Sequence, residues 1–149
     1  MAYKVFIATN IFIDAYLERT GNWKDAEMIL QYGAMEQITL FTSAVNIVSI
    51  MHVIGKQQLN KAEIINLIEL TLTYTQLVNT SNAAFRQALR AGFTDLEDAV
   101  QYFTALEVKG IDYFVTSNIK DLKKATVQLP VVTPKQFLSK IKKPKPKRA

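Results

Sequence analysis

A short stretch near the amino terminus, in which an apolar segment ends abruptly in polar residues, limits the possible folds of this chain more than any other. Four apolar residues, Val5 to Ala8, are followed by Thr9 and Asn10; apolar side chains resume at residues 11–13, and an acid stands at Asp14. This order predicts a buried strand, a turn and a helix. Because ligands bind beyond the carboxyl ends of strands in open α/β sheets, Thr9 and Asn10 are predicted to face a functional crevice.

Further strand-like segments alternate with helical ones along the rest of the chain. Apolar or β-branched runs at 38–41, 75–78, 113–116 and 131–133 predict additional short strands, and residues with helical spacing lie between them. Parallel strands need such crossovers, because a tight turn cannot join them. We therefore predict a three-layer α/β/α sandwich with a central, mainly parallel sheet of about five short strands.

Length and composition fit one compact domain. Of the 149 residues, 49% are apolar, which suits a single core over residues 1–139. The chain has no cysteine, which excludes disulfides and thiolate metal sites, and a cytoplasmic location is expected. No apolar run approaches the roughly 20 residues that a membrane span needs, and no signal-peptide pattern opens the sequence, so no membrane partner is expected.

The positive charge is concentrated in the last ten residues. The chain has 18 lysines and arginines and 13 acids; six of the basic residues and none of the acids lie in 140–149, so residues 1–139 carry 12 basic and 13 acidic side chains. Prolines alternate with lysines in this segment, which predicts a basic arm rather than a helix. Such an arm serves attraction to phosphates or simple solubility, and the sequence favours neither.

Polar residues follow two of the predicted strands. Thr9 and Asn10 follow the first, while Ser117 and Asn118 follow the strand at 113–116. Because parallel strands end at one edge of a sheet, these four residues are expected to converge there.

Three acids near this edge have two interpretations each. Asp95 and Asp98 share one face in the first turn of a predicted helix and can reach the same crevice, but an N-cap followed by an acid three residues later is also an ordinary way to begin a helix. Asp14 is either part of the site or a charge on a helix surface. The residue types alone leave both questions open.

Four short motifs occur along almost the whole chain in a distinctive order. They are the stretch 5–14, Thr42-Ser43 at the start of a helix, Phe93–Ala99, and Val115–Leu122. In these motifs the chain resembles PIN-domain proteins, a family of metal-dependent ribonucleases that includes the VapC-like toxins of bacterial toxin–antitoxin pairs. The resemblance implies RNA as the substrate and a cognate antitoxin as a partner.

In that family, four acids hold one or two Mg²⁺ or Mn²⁺ ions, which activate water for attack on an RNA phosphodiester. The resemblance assigns six residues to this site: Asp95, Asp98 and Asp121 as metal ligands, Asn118 beside them, and Thr9 and Asn10 as residues that orient the cluster.

Two positions depart from the family pattern. Ala8 stands where the family has its first Asp, and Ser49 stands where many members have Glu. Fewer carboxylates lower the affinity for a divalent ion, so the resemblance implies a ribonuclease that is inactive or weakened. Ala8 is an engineered change, a spontaneous change under selection, or a natural one. Restoring Asp at position 8 is expected to be tolerated, because charges at the mouth of a solvated site cost little.

Other functions fit parts of the sequence. Ala8, Ser49 and the basic arm also suit a catalytically degenerate PIN module that binds nucleic acid without cleaving it. A nucleotide-binding α/β protein is disfavoured because no glycine-rich phosphate loop follows any strand, and a response-regulator receiver is disfavoured because Ala8 removes an early acid.

Apolar residues are denser on 45–54 and 64–72 than one small core can hide. We therefore expect a homodimer, as is common among PIN toxins that resemble this chain.

Overall fold

A computed structural model of the protein describes residues 2–120, 122 and 128–141. Short strands alternate with helices in these residues, as the sequence predicts. The elements are β1 Lys4–Ile7, α1 Thr9–Leu17, α2 Trp23–Ala34, β2 Thr39–Ser43, α3 Ala44–Gly55, α4 Lys61–Tyr74, β3 Thr75–Val78, α5 Asn82–Arg90, α6 Leu96–Leu106, β4 Tyr113–Val115, β5 Val131–Val132 and α7 Pro134–Ile141.

The strands form one five-stranded sheet in the order β3-β2-β1-β4-β5, with every neighbouring pair parallel. The central strand is β1, in which Val5 pairs with Leu40 of β2 on one side and with Tyr113 of β4 on the other. All five strands therefore end at the same edge of the sheet, which we call the carboxyl edge.

Alternation along β1 sends side chains to both faces of the sheet, because successive strand residues point in opposite directions. Val5 and Ile7 belong to a buried cluster with apolar residues of α1, α2, α3 and α7. Phe6 and Ala8 belong to a second cluster with α6, in which Phe6 stacks on Phe114 with ring centroids 5.5 Å apart. Helices thus cover both faces, and the predicted three-layer α/β/α sandwich is confirmed.

Side-chain caps fix the starts of several helices. The Ser43 hydroxyl accepts a hydrogen bond from the Asn46 amide at the start of α3. Asn60 and Glu63 form a reciprocal capping box at α4, and Ser81 caps α5 through the Ala84 amide. Such caps satisfy amides that have no partner within the helix.

Three local features differ from the sequence predictions or lie beyond them. No separate turn follows β1, because Ala8 is extended at φ −69° and ψ 155° and serves as the N-cap of α1 without a side-chain cap. Helix α4 contributes a single fully buried residue, Thr71, to the core. Most of the basic arm, residues 142–149, lies outside the described residues.

None of the helices described here has the length and apolar character that a membrane crossing requires.

Candidate active site

The first motif residue, Ala8, is buried at the carboxyl edge. Its exposed fraction is 2%, and its amide donates a hydrogen bond of 3.0 Å to the Val115 carbonyl of β4. Its methyl group belongs to the buried cluster on the α6 side of the sheet. Position 8 is therefore not the solvated position that the sequence argument assumed, and the expectation that an Asp there costs little is wrong on this point.

Thr9 is held by a residue of α6. Its amide donates a hydrogen bond of 3.0 Å to Oε1 of Gln101. Its own hydroxyl is buried, and Oγ1 has no hydrogen-bond partner among the described residues. A buried hydroxyl of this kind is uncommon in a folded protein, which makes Thr9 a candidate for contact with a ligand at this edge.

Asn10 joins the ends of β1 and β4. Its Nδ2 donates to Oγ1 of Thr116 at 3.0 Å, and its Oδ1 accepts from the Ser117 amide at 3.2 Å. The two polar segments that the sequence places after different strands do meet at one edge. Both polar atoms of the Asn10 side chain take part in this connection, so we interpret Asn10 as a positioning residue.

Asp98 and Asn118 meet across the same edge. Asp98 is buried, with 9% of its surface exposed, and Nδ2 of Asn118 donates to its Oδ2 at 3.4 Å. Asp95 is exposed and caps α6, because its Oδ1 accepts from the Asp98 amide at 3.1 Å. The helix-capping interpretation thus holds for Asp95, and it leaves the carboxylate of Asp98 directed to the residues after β4.

Ser49 has a carboxylate beside it that sequence reasoning missed. The Ser49 hydroxyl on α3 donates a hydrogen bond of 2.6 Å to Oε1 of Glu97 in the first turn of α6. A carboxylate therefore reaches position 49 from the neighbouring helix instead of from α3 itself. The sequence signal was available, since Glu97 lies between Asp95 and Asp98.

Asp14 is the most enclosed acid among the described residues. It is 1% exposed, accepts from Nε of Arg19 at 2.8 Å, and accepts from the Ser117 hydroxyl at 3.0 Å. The helix-surface interpretation of Asp14 is wrong. Its charge is compensated by Arg19, and it anchors the segment after β4 to α1.

A buried amide network, absent from the sequence analysis, supports the end of β1. Oε1 of Gln101 accepts from Nδ2 of Asn46 at 3.0 Å in addition to the Thr9 amide. Asn46 also donates to the Ile7 carbonyl at 3.3 Å. Helices α3 and α6 thereby hold the last residues of β1 from both sides.

The ligand types at this edge suit a hard divalent cation, but the described carboxylates are few. Asp98 supplies carboxylate oxygens, which Mg²⁺ and Mn²⁺ prefer, and Asn118 directs its amide nitrogen at that carboxylate. Among the residues that the structure describes, no three His, Cys, Asp or Glu side chains are close enough to hold a metal ion. Asp121, the remaining predicted ligand, lies outside the described residues. Carboxylate oxygens fit Mg²⁺ or Mn²⁺, whereas the described part of the site has fewer carboxylates than a metal-binding cluster needs.

Solved structures with the same fold include a toxin and two proteins bound to DNA fragments. VapBC2 from Rickettsia felis, bound to a DNA fragment from its promoter, matches with a TM-score of 0.64 and 14% identity over 87% of this chain and 98% of that chain. VapC20 from Mycobacterium tuberculosis is a toxin that cleaves the sarcin–ricin loop. It matches with a TM-score of 0.64 and 14% identity, over 84% of this chain and 98% of that chain. FitAB bound to the IR36 DNA fragment matches with a TM-score of 0.62 and 15% identity, over 87% of this chain and 94% of that chain. At these identities the likeness establishes the fold.

Sequence comparison identifies the family. No protein with a curated description matches the chain significantly. A family model described as PIN domain matches residues 4–120, which include Ala8, Asn10, Asp98 and Asn118. Since this match spans most of the chain, the chain belongs to the PIN-domain family.

Proposed function

We propose that the protein is a metal-dependent ribonuclease of the VapC type whose activity is weakened by Ala8. The observation that carries the proposal is the contact between the buried Asp98 carboxylate and Asn118, at the edge where Asn10 joins β1 to β4. A buried carboxylate is a suitable ligand for Mg²⁺ or Mn²⁺, and the Asn118 amide nitrogen that donates to it favours one orientation of that carboxylate.

Each site residue has a role in this proposal. Asp98 is the principal metal ligand, with Asp121 and Asp95 as further acids, and Asn118 orients the Asp98 carboxylate. When bound, the ion lowers the pKa of a water molecule and neutralises charge on the phosphodiester. Asn10 positions the segment after β4, and the unpaired Thr9 hydroxyl is available to a ligand or its water.

Ala8 and Ser49 account for the proposed loss of activity. A methyl group at position 8 supplies no oxygen, so one carboxylate of the cluster is absent. At position 49 the loss is smaller, because Glu97 brings a carboxylate within hydrogen-bond distance of Ser49. We infer that position 8 limits the activity more than position 49 does.

The proposed partners are RNA, a cognate antitoxin and a second copy of the chain, in the cytoplasm. The similar structures include VapBC2 and FitAB, each bound to a DNA fragment, and a toxin, VapC20. Exposed apolar residues on α3 and α4 support association: Val48, Met51, Ile65, Leu70 and Leu72. An apolar cleft of about 290 Å³ between α1, α2 and α4, lined in part by Tyr16, Leu30 and Leu70, offers a surface for an antitoxin segment.

The direct test is cleavage of a mixed RNA pool with Mn²⁺ by the parent protein, by Ala8→Asp, and by Ala8→Asp combined with Asp98→Asn. We expect little cleavage by the parent, metal-dependent cleavage by Ala8→Asp, and loss of that gain in the double variant. The matched control is Ala8→Asn, which has nearly the shape of Asp without its charge.

One observation favours a second function. Ala8 removes a family acid while the connections that build the edge remain, which also suits a PIN module that binds nucleic acid without cleaving it. If Ala8→Asp folds normally and gains no cleavage, while the parent binds RNA, this second function replaces the first.

A further inference from the structure

We propose that the outward surface of α5, formed by Phe85, Arg86, Leu89 and Arg90, binds single-stranded RNA next to the candidate active site. The phosphates would contact the two arginines, and a base would stack on Phe85. This inference rests on the proposed function in one respect, that RNA is the ligand, and it adds a binding surface that the site itself does not include.

Helix α5 is strongly amphipathic in an unusual way. Its buried residues are small, Ala84 and Ala88, which lets it pack closely on α6. Its large apolar side chains face solvent instead, with Phe85 42% exposed and Leu89 64% exposed. Exposed side chains of this size, adjacent on one helix, indicate a surface with a partner.

The charge on this surface has one sign. No acid occurs between Asn82 and Arg90. Within the described part of the chain, neither Arg86 nor Arg90 has an ion pair or a side-chain hydrogen bond. Two guanidinium groups one helical turn apart match a polyanion, and the exposed Phe85 ring lies on the adjoining flank of the helix, where a base could stack.

The position of α5 leads from this surface to the candidate site. Helix α5 packs along α6, and residues 91–95 connect its last residue, Arg90, to the start of α6. Asp98 lies in the first turn of α6, so Arg90 stands at the end of α5 from which the chain continues to the candidate site, and Arg86 lies about 6 Å farther along the helix axis.

Electrostatics favour RNA over a second copy of the chain as the occupant. The first turn of α6 carries Glu97 and Asp98 after the Asp95 cap, and such a cluster repels phosphates unless cations lie near it. A two-fold interface would place the same residues of both copies in one contact. If α5 of one copy packed on α5 of another, Arg86 and Arg90 would be buried without a carboxylate from α5 to pair with them, which is costly.

The test measures binding of the full chain to a short, fluorescein-labelled, single-stranded RNA of mixed sequence by fluorescence anisotropy across a range of salt concentrations. EDTA is present, so binding is measured without cleavage. The variants are Arg86→Gln combined with Arg90→Gln, and Phe85→Leu. The matched control is Lys56→Gln combined with Lys109→Gln, at two exposed lysines that follow the carboxyl ends of α3 and α6.

The two kinds of variant are expected to differ in their salt dependence. Each phosphate contact on a single strand contributes about −0.7 to the slope of log affinity against log salt, so the arginine pair is expected to reduce the slope by about 1.4. Phe85→Leu is expected to weaken binding roughly tenfold with an unchanged slope, because stacking is lost and no charge is. The lysine control is expected to leave the slope unchanged.

Three results would overturn the inference. One is a parent protein that does not bind this RNA, and another is a slope that the arginine pair leaves unchanged. The third is a lower particle mass in sedimentation for Phe85→Leu together with unchanged RNA affinity, which would assign the surface to a second copy of the chain. Failure of the ribonuclease proposal is distinguishable, because Ala8→Asp can lack cleavage while the arginine pair still changes the salt slope in EDTA.

Discussion

Replacing Ala8 by Asp is expected to make the thermal stability of the protein depend on a divalent cation. Two opposing effects act in the absence of metal. As the N-cap of α1, an Asp can accept from an amide of the first turn and contribute about 1 kcal/mol. Burying its carboxylate at a position that is 2% exposed costs roughly 1–3 kcal/mol or more, because the charge lacks a compensating cation.

The net effect of capping and burial is a modest loss of stability in EDTA, and a bound metal ion should reverse this loss. For a chain of 149 residues, 1 kcal/mol corresponds to about 3–4 °C in Tm, so we expect Ala8→Asp to melt several degrees below the parent in EDTA. An ion at a concentration of about 100 times its Kd adds roughly 2.7 kcal/mol, which raises the Tm of Ala8→Asp by about 8–11 °C. The parent, with one carboxylate fewer, should respond to Mn²⁺ much less.

The assay is thermal unfolding, followed by circular dichroism, of the parent, Ala8→Asp and Ala8→Asn in EDTA and in Mn²⁺. Ala8→Asn retains the capping oxygen without the charge, so its difference from Ala8→Asp in EDTA measures the cost of the carboxylate. The change of that difference on adding Mn²⁺ measures ion binding. Equal Mn²⁺ responses of Ala8→Asp and Ala8→Asn would refute the reasoning, whatever the absolute Tm values.

Three further predictions concern the rest of the molecule. Gln101→Met removes the acceptor of the buried Thr9 and Asn46 donors, and we expect it to lower the free energy of unfolding in urea by roughly 3 kcal/mol. The exposed control Gln57→Met should change this free energy little. An equal loss of stability in the two variants would contradict the role of the network. Burial raises the pKa of Tyr74, so above about pH 10 the unfolded phenol ionises while the folded one keeps its proton, and stability should fall as the pH rises. Tyr74→Phe should make this fall less steep in unfolding experiments at alkaline pH. The same pH dependence in the parent and in Tyr74→Phe would contradict this prediction. Val48 and Ile65 are 64% and 46% exposed, so Val48→Lys with Ile65→Lys should lower the mass measured by sedimentation, whereas a parent that is monomeric at all concentrations would reject the dimer.

The elements were predictable where a local pattern decides them. The apolar runs identify the strands, and residues such as Ser43 and Asn60 identify helix starts, because a cap acts on amides within its own first turn. The meeting of Asn10 with Thr116 and Ser117 also followed from sequence, since the ends of parallel strands share one edge.

The contacts between helices were not predictable in the same way. The Ser49–Glu97 hydrogen bond joins residues 48 positions apart, and it depends on the distance and rotation of α3 relative to α6. The burial of Asp14 depends likewise on Arg19 and on the Ser117 hydroxyl. A helical pattern gives the face on which a side chain lies, but it does not say whether the neighbouring element brings a counter-charge.

The scaffold of the carboxyl edge depends largely on groups other than the acids assigned to the metal. Asn10 joins β1 to β4, Gln101 and Asn46 hold the end of β1, and Asp14 anchors the following segment through Ser117. These contacts do not need a carboxylate at position 8, because the framework is in place with Ala there. In EDTA, an unpaired carboxylate there would even oppose folding. We infer that fold and activity can separate at this site, so a PIN fold does not by itself establish an active centre.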